Sequence, residues 1–420
     1  MVKITETKTR MISIKLDQPF TLGFGELYTL PRVIYTIKPD NGVIGYGEAS
    51  IDFPFSNYDM FDIYNSLNKL NINERDIKDK EILLREQSSP DALMEFPSAF
   101  TAFSMALDDA IGKTMKVSIL DMYKRQRVGG RAMKSISFND DPKVTIAAAL
   151  RASDEGYLPK IKVGMGEEKD LKLISLIEKA KIKYALDFNA VYTLAEARKL
   201  FDKLLEKKEG LKNALYVEQP TKVSEGISAL GEIRKLLRTN VSSTVIADES
   251  FVSKSDAVEC VNQELAINMK MQKIGGLYQA KLIEEQISSE HKELKSTVGG
   301  TFPTAIGRVY DQAAACVLVS ASLYSDALLP STDYFKGNNH LIAEQFRRVK
   351  NLSVPIEGNG LGITVDESKV NALVVENPSK EYARIRADQT GEKIIIKLRD
   401  NASYGELYKI KTGKNPMWNI

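Results

Sequence analysis

The chain has 420 residues, 43% hydrophobic and 27% charged, a balance that lets a globular protein bury its own core without disulfide staples or structural zinc. Lysine and arginine total 58 against 56 acidic residues, a net charge of +2, which argues against a nucleic-acid footprint or an acidic-membrane binder. Only Cys260, Cys316, His291 and His340 represent their residue types, so a disulfide framework, a His-rich zinc site and most Ser-His or Cys-His mechanisms are set aside, and acid–base work falls to Lys, Asp or Glu.

Residues 1–50 read as β structure. Val33–Ile37 is rich in β-branched and aromatic side chains, Asp40-Asn41-Gly42 marks a tight hairpin, and Val43–Gly47 returns. The N-terminus carries no apolar leader and no later run of about 18 apolar residues exists, so the expected compartment is the cytoplasm. Between about 60 and 127 the pattern is helical: Ala99, Ala102, Phe103, Ala106, Leu107 and Ala110 share a face. Their small size suggests close packing. From about 133, short apolar strands alternate with amphipathic helices. Strands are expected over 134–138, 158–163, 184–188, 214–218, 244–248, 266–270 and 295–298, with an eighth near 324–330. Thr193 with Glu196 forms a capping box. This rhythm predicts an α/β fold, a parallel (β/α)8 TIM-like barrel. A doubly wound sheet is the alternative, but no Gly-x-Gly-x-x-Gly follows the first strand. Lys393–Leu398 is a further strand candidate outside the barrel.

Charged residues recur where these strands end. Lys160-Ile-Lys162 lies on the second, Asp187-Phe-Asn189 ends the third and Glu218-Gln-Pro220 the fourth. Asp248-Glu-Ser250 ends the fifth, and Lys270 the sixth, followed by Lys273-Ile-Gly275-Gly276. From Lys162 to Lys270 the intervals are 25, 31, 30 and 22 residues, close to the roughly 30 of one βα repeat. One charged group per strand end puts the set at the C-terminal face, where barrel active sites lie. Asp187, Glu218 and Asp248 would converge there and repel unless a hard cation sits among them. An all-oxygen set suits Mg²⁺, with Mn²⁺ as a substitute. Lys160 and Lys162, two apart on a strand, share a face and should lower each other's pKa. Lys270, four strands round, lies roughly opposite. A metal site between opposed lysines suits removal of a proton α to a carboxylate. Taken singly, each residue has a duller reading: a strand-end Asp or Glu is more often a helix cap, Lys-x-Lys a solvated pair and Gly-Gly a turn. Five such residues in register outweigh those readings.

The same segments resemble the enolase superfamily, muconate-lactonizing-enzyme subgroup, from about Pro19 to about Asp366. The matching residues are Lys-Ile-Lys-Val-Gly (160–164), Asp187-x-Asn189, Val-Glu218-Gln-Pro, Ala-Asp248-Glu-Ser and Asn268-Met-Lys270-x-x-Lys-x-Gly-Gly. Sites of that superfamily use a Lys or His base with Mg²⁺ stabilising an ene-diolate. The resemblance therefore implies an α+β capping domain over 1–130, a catalytic barrel over 131–345, and a segment over 346–420 that returns to the cap and carries a tail. It implies Asp187, Glu218 and Asp248 as metal ligands, Lys162 and Lys270 as acid–base residues, and Lys160 as their electrostatic aid. Loops near Phe20–Tyr28 and Phe53–Tyr58 would cover a small carboxylate substrate.

Within the subgroup, Asp187–Thr193, Gly299–Arg308, Leu329–Phe335 and Pro19–Gly25 resemble o-succinylbenzoate synthases and N-acylamino acid racemases. This implies substrate contacts from Phe24, Asn189, Gly299, Gly300, Thr301 and Asp333, with the turn at 299–301 offering N–H groups to an anionic tail such as succinyl. The family's Met-x-Glu after the seventh strand is Thr301-Phe-Pro303 here, and the Asp-x-Asp that dipeptide epimerases carry on the eighth strand is not evident. The expected activity is Mg-dependent dehydration or racemisation. A dipeptide epimerase or a muconate-type cycloisomerase is the alternative, and a Schiff-base lysine enzyme or a non-catalytic scaffold the remote one. A homo-oligomer with no nucleic-acid or membrane partner is expected.

Overall fold

The computed structural model describes residues 1–22, 25–51, 56–206, 210–238, 243–329, 340–349, 351–378, 396–398 and 409. The chain opens with β1 (Ile4–Leu22), β2 (Gly25–Pro39) and β3 (Gly45–Ala49). β2 pairs antiparallel with both neighbours, and Gly42 makes the turn into β3 at φ +81°. Pairing of β1 with β2 runs to Leu22 opposite Gly25. The expected loop at Phe20–Tyr28 is therefore strand backbone wherever it is described. Extended pairing satisfies its N–H and C=O groups, which a loop would leave to water.

Helices Met60–Lys69, Lys80–Gln87 and Pro97–Met115 follow. The last packs directly on β3. A Cβ at Gly45 would stand 2.2 Å from the Ala106 carbonyl oxygen, and one at Gly47 would stand 1.9 Å from that of Ala102. Only glycine on the strand against alanine on the helix allows this approach. The helix is almost wholly buried, Ser98 through Gly112.

After β4 (Gly130–Arg131) the parallel sheet runs β5 (Met133–Ile136), β6 (Leu158–Lys162), β7 (Tyr184–Asp187), β8 (Ala214–Glu218), β9 (Thr244–Ala247), β10 (Ala266–Asn268) and β11 (Ser296–Thr297), in that spatial order. Several strands end a residue or two before the expected position; the Lys270 N–H, for example, donates back to the Asn268 carbonyl (3.0 Å) in a turn. The expected eighth strand is reduced further. Leu323 donates to the Ser296 carbonyl (3.2 Å) and Ala327 to Val298 (3.2 Å), while Ser325 donates to Arg131 (2.9 Å) and accepts from Met133 (2.9 Å). These bonds close the barrel through one bridge, Ala132 to Ser325. A 3-10 turn, Asp326–Leu328, follows at once, in keeping with the poor strand propensity of aspartate.

Met133, Leu158, Ala185, Tyr216, Ile246 and Ala266, one from each strand β5 to β10 and each before that strand's last residue, form a buried apolar cluster. That plug leaves the charged residues to the opposite end. β12 (Arg347–Val349) and β13 (Leu352–Val354) form a small sheet with β4. β14 (Ile396–Leu398) pairs antiparallel with β2, outside the barrel as its sequence suggested; Lys393–Ile395 lie outside the described residues. Among the described residues no helix is long and apolar enough to cross a membrane.

Candidate active site

Alternation along β6 turns Lys160 and Lys162 to the same side, and Lys162, Asp187 and Glu218 are direct register partners across three strands. Asp187, Glu218 and Asp248 are each 1% exposed. The Lys162 ammonium donates to Asp187 Oδ2 (2.6 Å) and Asn189 Oδ1 (2.9 Å). Lys270 Nζ stands 2.7 Å from Asp248 Oδ2. Around the rim the order is thus lysine, three carboxylates, lysine, with Lys162 on β6 and Lys270 after β10, four strands apart.

One layer deeper, Lys160 Nζ lies 3.1 Å from Glu218 Oε2, 2.9 Å from Asp326 Oδ2 and 3.5 Å from Asp187 Oδ2. Lys273 donates to both the carboxylate and the backbone carbonyl of Asp248, each at 2.6 Å. Amide side chains complete the frame. Asn268 Nδ2 donates to Glu218 Oε1 (2.7 Å), Asn189 Nδ2 to Glu249 Oε1 (3.1 Å), and Gln219 Oε1 accepts from the N–H groups of Asp248 (2.9 Å) and Ser250 (3.1 Å). Asn189, Ala190 and Gln219 adopt positive φ of 46°, 56° and 39°, a strained backbone of the kind that functional sites hold.

The electrostatics follow from this geometry. Burial works against the Lys160 ammonium, but Asp326, Glu218 and Asp187 outweigh it and hold its pKa well above the ordinary lysine value. The expected mutual lowering of the lysine pair therefore fails at Lys160, which is a fixed cation. Burial also opposes charge on Asp187 and Asp248, yet the adjoining lysines hold both carboxyls below the usual range. Glu218 differs. Burial, then Asp187, Asp248 and Asp326, push its pKa up to about 7 in spite of Lys160.

Residues 145–369 match the family described as Enolase C-terminal domain-like. The chain belongs to the enolase superfamily. Its relatives include the N-succinyl-L-Arg/Lys racemase of Bacillus cereus, 24% identical over 89% of this chain and 98% of the relative. The L-Lys-D/L-Arg epimerase of Desulforapulum autotrophicum is 29% identical over 66% of this chain and 77% of its own length. The o-succinylbenzoate synthase of Listeria innocua is 23% identical over 86% and 93%. In fold, the chain resembles a muconate lactonizing enzyme from Pseudomonas fluorescens, with a TM-score of 0.76 at 18% identity over 89% of this chain and 99% of that one. The chain is an isomerase or lyase of this superfamily.

Membership implies a divalent metal, and the donor set suits one: three buried carboxylates on adjacent strand ends, the middle one short of positive charge. Among the described residues no three acidic, histidine or cysteine side chains converge as a finished ligand cluster; the carboxylate oxygens are paired with Lys160, Lys162, Lys270 and Lys273.

Asp326 is the main residue that the sequence reading did not assign. It stands about one βα repeat after β11, a spacing that could have revealed it. In the sequence Lys273 stands out only as part of the Lys-x-Gly-Gly motif. The turn at 299–301 makes contacts of its own. Gly300 N–H donates to Asp326 Oδ1 (3.2 Å), the Thr301 hydroxyl is hydrogen-bonded to Ser50 Oγ, and a Cβ at Gly299 would lie 2.3 Å from Asn268 Oδ1. These groups thus have partners within the chain. Phe24 and Asp333 lie outside the described residues, as do residues 53–55 of the second expected loop.

Proposed function

We propose that the chain racemises or epimerises an N-acylated α-amino acid at its α carbon, in a Mg²⁺-dependent reaction. The observation that carries this reading is the bracket formed by Lys162 on Asp187 and Lys270 on Asp248, one at each end of the carboxylate row. A substrate carboxylate over the row brings its α carbon between the two lysines. One amine takes the α proton from one face and the other ammonium returns a proton to the opposite face. Mg²⁺ held by Asp187, Glu218 and Asp248 would draw off the negative charge that develops on the substrate carboxylate. Lys160 keeps Asp187, Glu218 and Asp326 from splaying apart, and Lys273 holds Asp248 toward the row. In the same reading, 1–130 and 346–420 form a cap over a 131–345 barrel.

The named relatives support the substrate class: N-succinyl amino acids and dipeptides share an amide on the α nitrogen and a free carboxylate. Elimination of the synthase type is the second reading, and it needs only one base. The presence of two lysines favours inversion.

The test is incubation in D₂O with Mg²⁺ and a panel of N-succinyl amino acids, dipeptides, muconate and the o-succinylbenzoate precursor, following α-proton loss by NMR and configuration by chiral chromatography. Lys162→Ala and Lys270→Ala should each abolish inversion while retaining exchange of one antipode. Undiminished turnover after exhaustive chelation, or no α exchange with any N-acyl amino acid, would refute the proposal.

A further inference from the structure

The base-bearing turn after β10 is gripped from outside the barrel. Lys270 precedes a helix of only four residues, Met271–Ile274, with no side-chain cap. One turn of helix cannot hold its own geometry, because nucleation fixes several dihedrals for a single hydrogen bond. What holds it is the N-terminal part of the chain. The Gln272 side chain, 4% exposed, donates from Nε2 to the Glu48 carbonyl (3.0 Å) and accepts at Oε1 from the Ser50 N–H (3.0 Å). Glu48 and Ser50 lie at the free edge of β3, whose other edge pairs with β2. The amide therefore mimics a peptide group and extends the sheet by one rung. The single Ser98 hydroxyl proton is shared between the Ser50 carbonyl (2.6 Å) and the Gln272 carbonyl (2.9 Å). Thr101 Oγ1 donates to the Met271 carbonyl (2.9 Å). Three anchors thus converge on the two residues that follow Lys270.

We propose that Gln272 is a positioning residue for Lys270: by locking the turn to the sheet edge it sets where that lysine meets the substrate, and so governs proton transfer on one face of the α carbon only. This rests on the two-lysine reading above. Lys162 is placed by a different set of contacts. Its strand leads into a turn whose Gly164 and Met165 N–H groups donate to Asp170 (2.8 and 3.1 Å), with Tyr192 bonded to the same carboxylate. Loosening the Lys270 turn leaves those contacts untouched. A displacement of about 1 Å at a reacting group can cost up to ~10²-fold in rate, so the effect on one lysine should be large and the effect on the other small.

The experiment measures α-deuterium exchange of both antipodes of N-succinyl-lysine, N-succinylarginine and Ala-Lys, in Lys162→Ala, where Lys270 alone remains, and in Lys270→Ala, where Lys162 alone remains. Adding Gln272→Met should reduce exchange about ten- to a hundredfold in the first background and by no more than about twofold in the second. In the Mg²⁺-free protein with both lysines intact, Gln272→Met should raise amide deuterium uptake across 269–276 but not across 158–166. Ser98→Ala, which loosens the same turn from the helix side, should skew exchange in the same direction and serves where Gln272→Met does not fold. Equal losses in both backgrounds, or no loss in either, would overturn the assignment. If the single lysine variants themselves show no antipode-specific exchange, the two-lysine reading fails and the assignment falls with it.

Discussion

Lys160→Met removes the cation at the centre of the site while keeping a side chain of similar length. Three carboxylates lie within 3.5 Å of the ammonium it replaces, and the lysine is 3% exposed. At an effective dielectric near 20, opposite charges about 3 Å apart attract by roughly 5 kcal/mol. Much of that is offset by the cost of burying the charges. Removing one partner of a buried ion pair leaves the other uncompensated and costs about 3–5 kcal/mol net. Set against a total stability of about 5–15 kcal/mol for an ordinary protein, the loss is roughly a fifth or more. Urea unfolding of the Mg²⁺-free variant, followed by circular dichroism, should show a clearly lower midpoint. A divalent cation then meets carboxylates without a competing ammonium, so added Mg²⁺ should recover more stability in the variant than in the wild type. A Mg²⁺-free variant that unfolds at the wild-type urea concentration would refute the argument that Lys160 holds these carboxylates together.

Three further outcomes are expected. Added Mg²⁺ should raise the Tm of the wild type by mass action but not that of Glu218→Gln or Asp248→Asn; equal shifts in all three would remove these carboxylates from the metal site. Glu48 is fully buried and accepts the N–H groups of Thr304 and Gly307 at 2.8 Å each, so Glu48→Leu, which orphans both, should cost about 1–3 kcal/mol per group, and a wild-type urea midpoint would contradict it. Burial, aided by Glu48 and Asp326 against Arg308, pushes the Asp311 carboxyl up to about 8, above the ~3.9 of an unfolded chain. The native state then keeps a proton that the unfolded state gives up, so this group's contribution to stability falls as pH rises from about 4 through about 8. Asp311→Asn should flatten that decline in urea titrations between pH 5 and 9, and parallel wild-type and variant curves would show that Asp311 does not titrate as described.

Much of this fold and site could be read in advance because strand ends carry two conflicting demands. Charged residues such as Asp187, Glu218 and Asp248 interrupt apolar strands at a near-constant interval, and a parallel barrel turns that interval into one rim. Close packing of the helix that carries Ala102 and Ala106 was legible from its small residues at helical spacing, but its partners Gly45 and Gly47 on β3 were not. Asp326 was legible only through its spacing after β11 and was otherwise hidden, because its strand amounts to a single bridge. The fates of the Gly300 N–H and the Thr301 hydroxyl were equally hidden. Their partners, Asp326 and Ser50, are remote in sequence, and no local pattern announces a hydrogen bond across 251 residues. The raised proton affinity of Lys160 has the same origin: pairing it with Lys162 on the strand suggested repulsion, whereas three distant carboxylates decide the sign.

The N-terminal sheet has a consequence for the order in which this chain can fold. Arg10 on β1 is held by Glu367, 357 residues later, and β2 pairs with β14 near residue 397. At a synthesis rate of about 5–20 residues per second, roughly 20–70 s separate the emergence of Arg10 from that of its partner. During that interval the first strands must wait with an open edge while the whole barrel is made behind them, a situation that exposes a growing chain to strand-mediated association. The ribosome thus delivers β1–β3, which grip the Lys270 turn, before the barrel strands, and β14 only after them. Slowing translation downstream of the barrel should lengthen the time for which nascent chains depend on chaperones.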